Sequence, residues 1–326
     1  MLKLCAKIEI KGEKTWVFEK ITACEIVRDS DALTTTCKLT LPKKVKWKDE
    51  TSNPIKRGDK ITVWLGYDDN LQLAFTGYVL RVGLKAPVEV FCEDEMFMLK
   101  QSVMDYSLIV NPVDLRSLLK NFTDFPVYAS DKIIVDYSFR SSAVSVANFL
   151  DFFKSFGPDK FFFRNVKGKY ALVSLHSFVP NLEDIVDHYI FESGRNIISD
   201  RNLDVFRPGA SDVYIRISVP ASQNSKRQFV ERGSADKAFK KFIFRKWCYN
   251  LDVANRIADY IVQRETQSGL SGRFLTFGHQ LVWPFDVVGI KIDGERKGKY
   301  QVSKNTITYG SSGFRQDITL GARVLE

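Results

Sequence analysis

Residues 58–79, GDKITVWLGYDDNLQLAFTGYV, constrain the fold more than any other stretch of the chain. Apolar and polar side chains alternate on both sides of Asp68-Asp69-Asn70. A period of two is the period of a strand, and an Asp/Asn cluster between two such runs is a tight turn. The segment is therefore a β-hairpin with one wet face. Its return strand holds Thr76-Gly77-Tyr78, where Gly77 allows a neighbouring backbone to come close. Nothing in it suits catalysis, so its purpose must lie in what a sheet can build.

The same alternation recurs through the first hundred residues. At the N-terminus Leu2, Leu4, Ala6, Ile8 and Ile10 face one way, against Lys3, Cys5, Lys7, Glu9 and Lys11. TACEIVRD (22–29), ALTTTCKLTLP (32–42) and VEVFCED (88–94) repeat the pattern, which suits a small barrel or sandwich. The N-terminal alternation is a strand pattern and not a signal peptide, and no apolar run approaches the ~18 residues of a membrane span. The expectation is a protein made and folded in a cytoplasm. The terminal Leu325-Glu326 reads as the remnant of a tag.

The middle changes period. Asn111-Pro112 predicts a helix start, with Leu115, Leu118, Leu119 and Phe122 at helical spacing. A second helix is predicted over 143–156 from Val146, Phe149, Leu150 and Phe153, stopped by Gly157-Pro158. KFFFRNVKGKYALVSL then predicts a hairpin turning at Lys167-Gly168. The last third returns to strands, including SDVYIRISV (211–219), with one helix at 250–266 carrying Val253, Ile257 and Ile261. Residues 284–321 read as successive hairpins.

That last segment resembles the opening one. Asp59 and Asp286 each begin a strand, followed at equal offsets by Val63/Leu65 and Ile290/Ile292. Asp68-Asp69 and Asp293-Gly294 supply the turns, and Gly77-Tyr78 and Lys299-Tyr300 open the return strands. The reading is an internal duplication: two similar β modules flanking an α+β unit. The fold class is α+β, mainly β, with modules at 1–104, 105–190 and 191–324.

Signals for chemistry are poor. His176, His188 and His279 have no ligand spacing, and the five cysteines, odd in number and without a CxxC, read as buried free thiols. GERKGK (294–299) lacks the length, the Ser/Thr and the following helix of a phosphate loop, so it reads as a turn. GLSG (269–272) and GSSG (310–313) read as loop turns, and the carboxylates of EDE (93–95) as a solvated strand end. Neither catalytic residues, a cofactor nor a metal is expected. KKVKWKDE (43–50) and KAFKKFIFRKW (237–247) interleave cations with aromatic rings. With a net charge of +9, they leave open a nucleic-acid or polyanion binder using Lys240, Lys241, Arg245 and Lys246. A tail-associated cell-wall hydrolase is a third reading, with little in the carboxylates to support it.

Taken in order, these signals resemble the baseplate hub proteins of contractile phage tails and related injection systems. Examples are the hub of phage Mu, the late-control D proteins and the N-terminal part of type VI spike proteins. The opening hairpin is similar to that family's Gly-Asp, apolar strand, turn and Thr-Gly-Tyr-Val, on Gly58, Asp59, Gly66, Thr76, Gly77 and Tyr78. FESGRNIISDRNLDVF resembles its Gly-x-Asn-Ile stretch, on Gly194, Asn196 and Ile197, and the closing hairpin resembles its last one, on Tyr300, Gly313 and Phe314. The resemblance implies a homotrimer whose six β modules join a hexameric tail tube, or a tail-terminal protein, to a trimeric spike. It implies a virion tail as the location, and DNA passing through a channel without specific binding. No needle-like repeat follows the last hairpin, so the spike is expected to be a separate protein.

Overall fold

In a computed structural model the described residues are 3–42, 53–104, 109–129, 134–138, 144–156, 160–175, 185–206, 213–219, 226–233, 241–245, 251–266 and 268–324. The first segment contains β1 (Leu4–Lys11), β2 (Thr15–Phe18), β3 (Ala23–Asp29), β4 (Thr36–Thr40), β5 (Lys60–Tyr67), β6 (Asn70–Val82) and β7 (Glu89–Glu93). The middle contains α1 (Met96–Gln101), β8 (Val103–Met104), β9 (Ile109–Asp114), α2 (Leu115–Leu119), β10 (Val127–Ala129), β11 (Ile134–Ser138), β12 (Val144–Ser145), α3 (Val146–Phe156), β13 (Lys160–Val166) and β14 (Lys169–Leu175). The last segment contains β15 (His188–Glu192), β16 (Ile197–Phe206), β17 (Val213–Val219), β18 (Gln228–Arg232), β19 (Lys241–Arg245), α4 (Leu251–Thr266), β20 (Gly269–Phe277), β21 (Val287–Ile292), β22 (Glu295–Gly310) and β23 (Gly313–Arg323).

The two β segments are hydrogen-bonded into one 13-stranded sheet, ordered β16-β20-β23-β22-β3-β4-β7-β6-β5-β1-β2, with β21 and β15 branching from β22. The long strand β22 makes the join. Its first half pairs with β21, and its second half continues along β3, with Lys304 opposite Asp29 and Tyr309 opposite Cys24. Two apolar clusters line the sheet. One holds Ile8, Ile26, Leu39, Leu65, Phe75 and Val90 together with Ile307, Tyr309 and Phe314 from the far end of the chain. The other holds Phe191, Ile197, Phe274, Val288, Tyr300 and Ile318.

The middle unit is built around a three-stranded sheet, β10-β14-β13, whose β13 and β14 pack apolar side chains on both faces, with the pairs β9/β11 and β8/β12 beside it. Phe161, Phe163 and Leu172 pack against the helices, while Phe162, Ala171 and Val173 pack against Val186, Phe285 and Val287. Burial on both faces explains the unbroken apolar run KFFF where a half-buried strand would alternate. Its hairpin turns at Lys167-Gly168, both with positive φ.

Two sequence expectations change, and one helix finds its place. Asn111-Pro112 does not start a helix: both lie in β9, whose pairing with β11 is interrupted between Val135 and Tyr137, and α2 starts at Leu115. Proline has no N–H to give a ladder, and a bulge asks for none. The helix expected in the last third lies away from the large sheet. α4 covers a separate sheet, β18-β17-β19, through Ala254, Ile257, Ala258 and Ile261, as an insertion between β16 and β20. GLSG forms the start of β20 and not a loop. The Gly157-Pro158 stop and the tag remnant lie outside the described residues.

The EDE carboxylates also depart from expectation. Asp94 and Glu95 are 0% and 1% exposed, where β7 hands over to α1. Asp94 accepts N–H bonds from Thr35 (2.9 Å) and Met96 (3.0 Å), so it caps the helix entry while anchoring β4. Glu95 faces Lys60 at 3.6 Å, and the Tyr78 hydroxyl. Burial pushes the Asp94 pKa up from 3.8 to about 7, against the two backbone bonds. The folded state therefore holds a proton that the unfolded chain releases near pH 4. This contribution to stability is full below pH ~4 and lost as pH rises through ~7. Thermal unfolding followed from pH 5 to 8 should show a falling midpoint. Asp94→Asn, with one N–H left unpaired, should be less stable at pH 5 but free of that slope, and an unchanged slope would refute the assignment.

Candidate functional site

The residues singled out in the sequence occupy backbone-shaping positions. Gly58 has φ +92°, and its N–H donates to the Val79 carbonyl (2.8 Å), while Val79 N–H donates to Asp59 O (2.9 Å). The Asp59 carboxylate accepts the Lys56 N–H at 2.8 Å. Asp68 and Asp69 have φ +50° and +64°, the two left-handed positions of a type I′ turn. A Cβ on Gly66 would lie 1.9 Å from Asn70 O, and one on Gly77 would lie 2.1 Å from Glu93 O, so both glycines permit strand contact. Thr76 is opposite Thr62, and Tyr78 stacks on Phe97 at 5.4 Å.

The second hairpin repeats this construction 227 residues on. Phe285, at φ +72°, donates to Val302 O (2.7 Å), and Val302 donates to Asp286 O (2.8 Å). The Asp286 carboxylate accepts the Trp283 N–H at 2.7 Å, as Asp59 does for Lys56. Asp293 and Gly294 again have positive φ. Register breaks fall at matching places, after Val63 and after Ile290 in the first strands, and after Val79 and after Val302 in the return strands; the second return strand has one more, between Tyr300 and Val302. The match moves one sequence equivalence by a residue. Tyr78 is opposite Lys60 but Tyr300 is opposite Val288, so Gly77, not Tyr78, is the counterpart of Tyr300.

Asn196 joins the ends of β15 and β16. Its Oδ1 accepts Glu192 N–H (2.7 Å), its Nδ2 donates to Ile190 O (3.0 Å), and its carbonyl accepts the Thr276 hydroxyl (2.6 Å). Gly194 supplies the positive φ of that turn, and Ile197 enters the second core. The buried Tyr300 hydroxyl donates to Lys297 O and accepts Leu270 N–H, both at 2.8 Å. After the Gly313 turn, Phe314 docks on Tyr67, whose hydroxyl donates to Phe314 O (2.8 Å) and accepts Phe314 N–H (2.9 Å).

One set of residues escaped the sequence reading. The non-regular stretch 278–286 is held between all three parts of the chain by buried polar side chains. Gln316 donates to Gln280 O and Phe277 O, Asn305 and Arg28 to Val282 O, and Arg164 to Pro284 O. Arg164 also pairs with Asp286 at 2.7 Å, both fully buried. The Arg28 guanidinium lies 3.5 Å from the Trp283 ring centroid, and burial pulls its pKa down to about 10, so it stays charged at neutral pH. Their signal was a polar residue at a core-facing place: Arg28 continues Cys24 and Ile26, Asn305 precedes Ile307 and Tyr309, and Gln316 stands between Phe314 and Ile318.

Beside this loop is a cleft of about 480 Å³, lined by Gln72, Leu73, Asn165, Asp187, Tyr189 and Gln280. Among the described residues no cluster of His, Cys, Asp or Glu could hold a metal ion, and no helix is long and apolar enough to cross a membrane. Of the basic-aromatic stretches, 43–50 lies outside the described residues, as do Lys240 and Lys246, while Lys241–Arg245 forms β19 beside β17.

No protein-family model and no curated protein matches the sequence. Solved structures do. The chain is similar to the 43 kDa tail protein of prophage MuSo2 from Shewanella oneidensis, with TM-score 0.63, 14% identity, and coverage of 97% of this chain and 98% of that one. It is similar to a tail protein from Neisseria meningitidis MC58, with TM-score 0.61, 12% identity and coverage of 98% and 96%. It is also similar to the E. coli c3393 protein, a type VI secretion component described as resembling the T4 tail proteins gp27 and gp5. There the TM-score is 0.59 at 10% identity, over 98% of this chain and 77% of that one. The chain has the mainly β fold of phage tail and baseplate proteins.

The two capping aspartates should differ in cost although their backbones match. Asp286→Asn leaves Arg164 buried without its counter-charge and should cost about 3–5 kcal/mol. Asp59→Asn, at a half-exposed corner, should cost about 1 kcal/mol. Urea unfolding of the two variants checks this, and equal losses would show that the Arg164 pair does not hold the units together.

Proposed function

We propose that this protein is a structural baseplate hub subunit of a phage tail or tail-like contractile injection system. Three copies form a ring of six similar β modules that joins a hexameric tube to a separate trimeric spike. The observation that carries the reading is the duplicated meander β5-β6-β7 and β21-β22-β23, alike in capping aspartate, turn and both register breaks. A part that must meet sixfold symmetry on one side and threefold on the other needs two equivalent units per chain and threefold closure. The likeness to phage tail proteins over nearly the whole chain supports the same role.

On this reading residues 1–104 and 191–324 are the two barrel-like modules, and 105–190 is the α+β unit outside the ring. The twelve motif residues act by shaping backbone, not by reacting. The ring leaves a channel for DNA without specific binding, the particle is a virion tail, and function is non-enzymatic and cofactor-free.

Light scattering across a concentration series should give a mass three times the 37.3 kDa of one chain, and negative-stain images should show a ring with a central hole. A stable dimer, or a monomer up to the solubility limit, would count against the ring.

A further inference from the structure

The duplication allows the contact between copies to be read from a contact within one. Inside the chain the modules meet where the second half of β22 lies along β3. Asn305 is opposite Arg28 and Ile307 is opposite Ile26, and all four are at most 1% exposed. The counterpart of β22 in the first module is β6. Val79 matches Val302, so beyond the shared register break Arg81 matches Lys304, Val82 matches Asn305, and Leu84 matches Ile307. The counterpart of β3 in the second module is β16. Lys38 stands between Phe91 and Glu25 as Arg273 stands between Thr319 and Asn202, so Asn202 matches Glu25, Leu203 matches Ile26 and Val205 matches Arg28.

These counterparts are not joined within the chain. Among the described residues the outer edge of β16 has no strand beside it, and neither has β6 beyond Val79 on the side where β5 stops. Two apolar side chains are left open there, Val205 in β16 and Leu84 in the bend that follows the end of β6 at Val82. Leu84 is 55% exposed where Ile307 is 0% exposed, and Val205 is 66% exposed where Arg28 is 1% exposed. Strand alternation turns Val205 toward the core side, since it is opposite Leu270, which packs on the second core. Large apolar side chains at core-facing positions of open edges mark a surface that another strand covers.

We propose that β16 of one copy pairs antiparallel with residues 81–86 of the next, repeating between chains the β3–β22 joint made within each chain. The register carries over: Val82 meets Val205 of the next copy and Leu84 meets its Leu203. The two edges differ, so the contact is head-to-tail. It generates a ring in which joints within and between chains alternate. The inference rests on the trimeric hub reading and specifies where its copies touch.

The test uses the full chain. Leu84→Lys and Val205→Glu change side chains already exposed in one copy, so each should keep the wild-type unfolding midpoint of the monomer. Each should weaken trimer formation ~100-fold or more, because it places a charge in a closing apolar seam. A Leu84→Cys/Leu203→Cys double variant, oxidised with diamide and mapped by mass spectrometry on mixed isotope-labelled chains, should give an 84–203 disulfide between chains. A wild-type trimer that persists in both charge variants, without that cross-link, overturns this seam and leaves the ring standing. A wild type that never exceeds one chain, even when cross-linked, overturns both.

Discussion

The structure depends on how one irregular segment satisfies its backbone inside the protein. Residues 278–286 run between the sheet and the middle unit, exposed at His279 and Gln280 and buried from Val282 to Asp286. A buried carbonyl without a donor is costly, and Trp283 O is served within the segment by Asp286 N–H, while Val282 and Pro284 take donors from outside. The donors come from everywhere: Arg28 from the first segment, Arg164 from the middle, Asn305 and Gln316 from the last. One loop thereby ties three parts of the chain that are far apart in sequence. Arg28 adds its stacking on Trp283, and Arg164 its ion pair with Asp286. Removing either partner of that pair would leave a buried charge unpaired, which is strongly destabilising.

The duplicated hairpin shows how one backbone plan serves two environments. Asp59 and Asp286 make the same bond to the residue three before them. Around Asp59 the neighbours are Lys56 and Gly58 at an exposed corner, while around Asp286 the matching places are Trp283 and Phe285, buried against the middle unit. The backbone geometry is shared because turn, cap and register breaks are local. The surroundings differ because only the second copy carries the middle unit.

Much of the architecture was legible because strands announce themselves by alternation. The hairpin at 58–79, the strands of the first segment other than β2 and the closing hairpins were read from period two alone, and α3 and α4 from helical spacing. What was misread has physical causes. Asn111-Pro112 carries a helix-start signal, but pairing between β9 and β11 overrode it. The acids of EDE read as solvated because burial of a carboxylate is rare, yet Asp94 is held by two backbone N–H groups at a helix entry. The α4 unit was legible as a helix but not as an insertion with its own sheet, since one sequence says nothing of which strands meet.

By itself the sequence determined the strand-rich class, the positions of the tight turns and the existence of two alike hairpins. These follow from interactions within a few residues: side-chain alternation, left-handed turn positions and glycines that allow close approach. Only the tertiary structure decided that β22 runs on from its own hairpin to join β3, that Arg28, Asn305 and Gln316 are core residues, and that Leu84 and Val205 stand open. Strand pairing and burial depend on partners hundreds of residues away. An apolar residue on an alternating strand has the same pattern whether its neighbour belongs to the same chain or to the next.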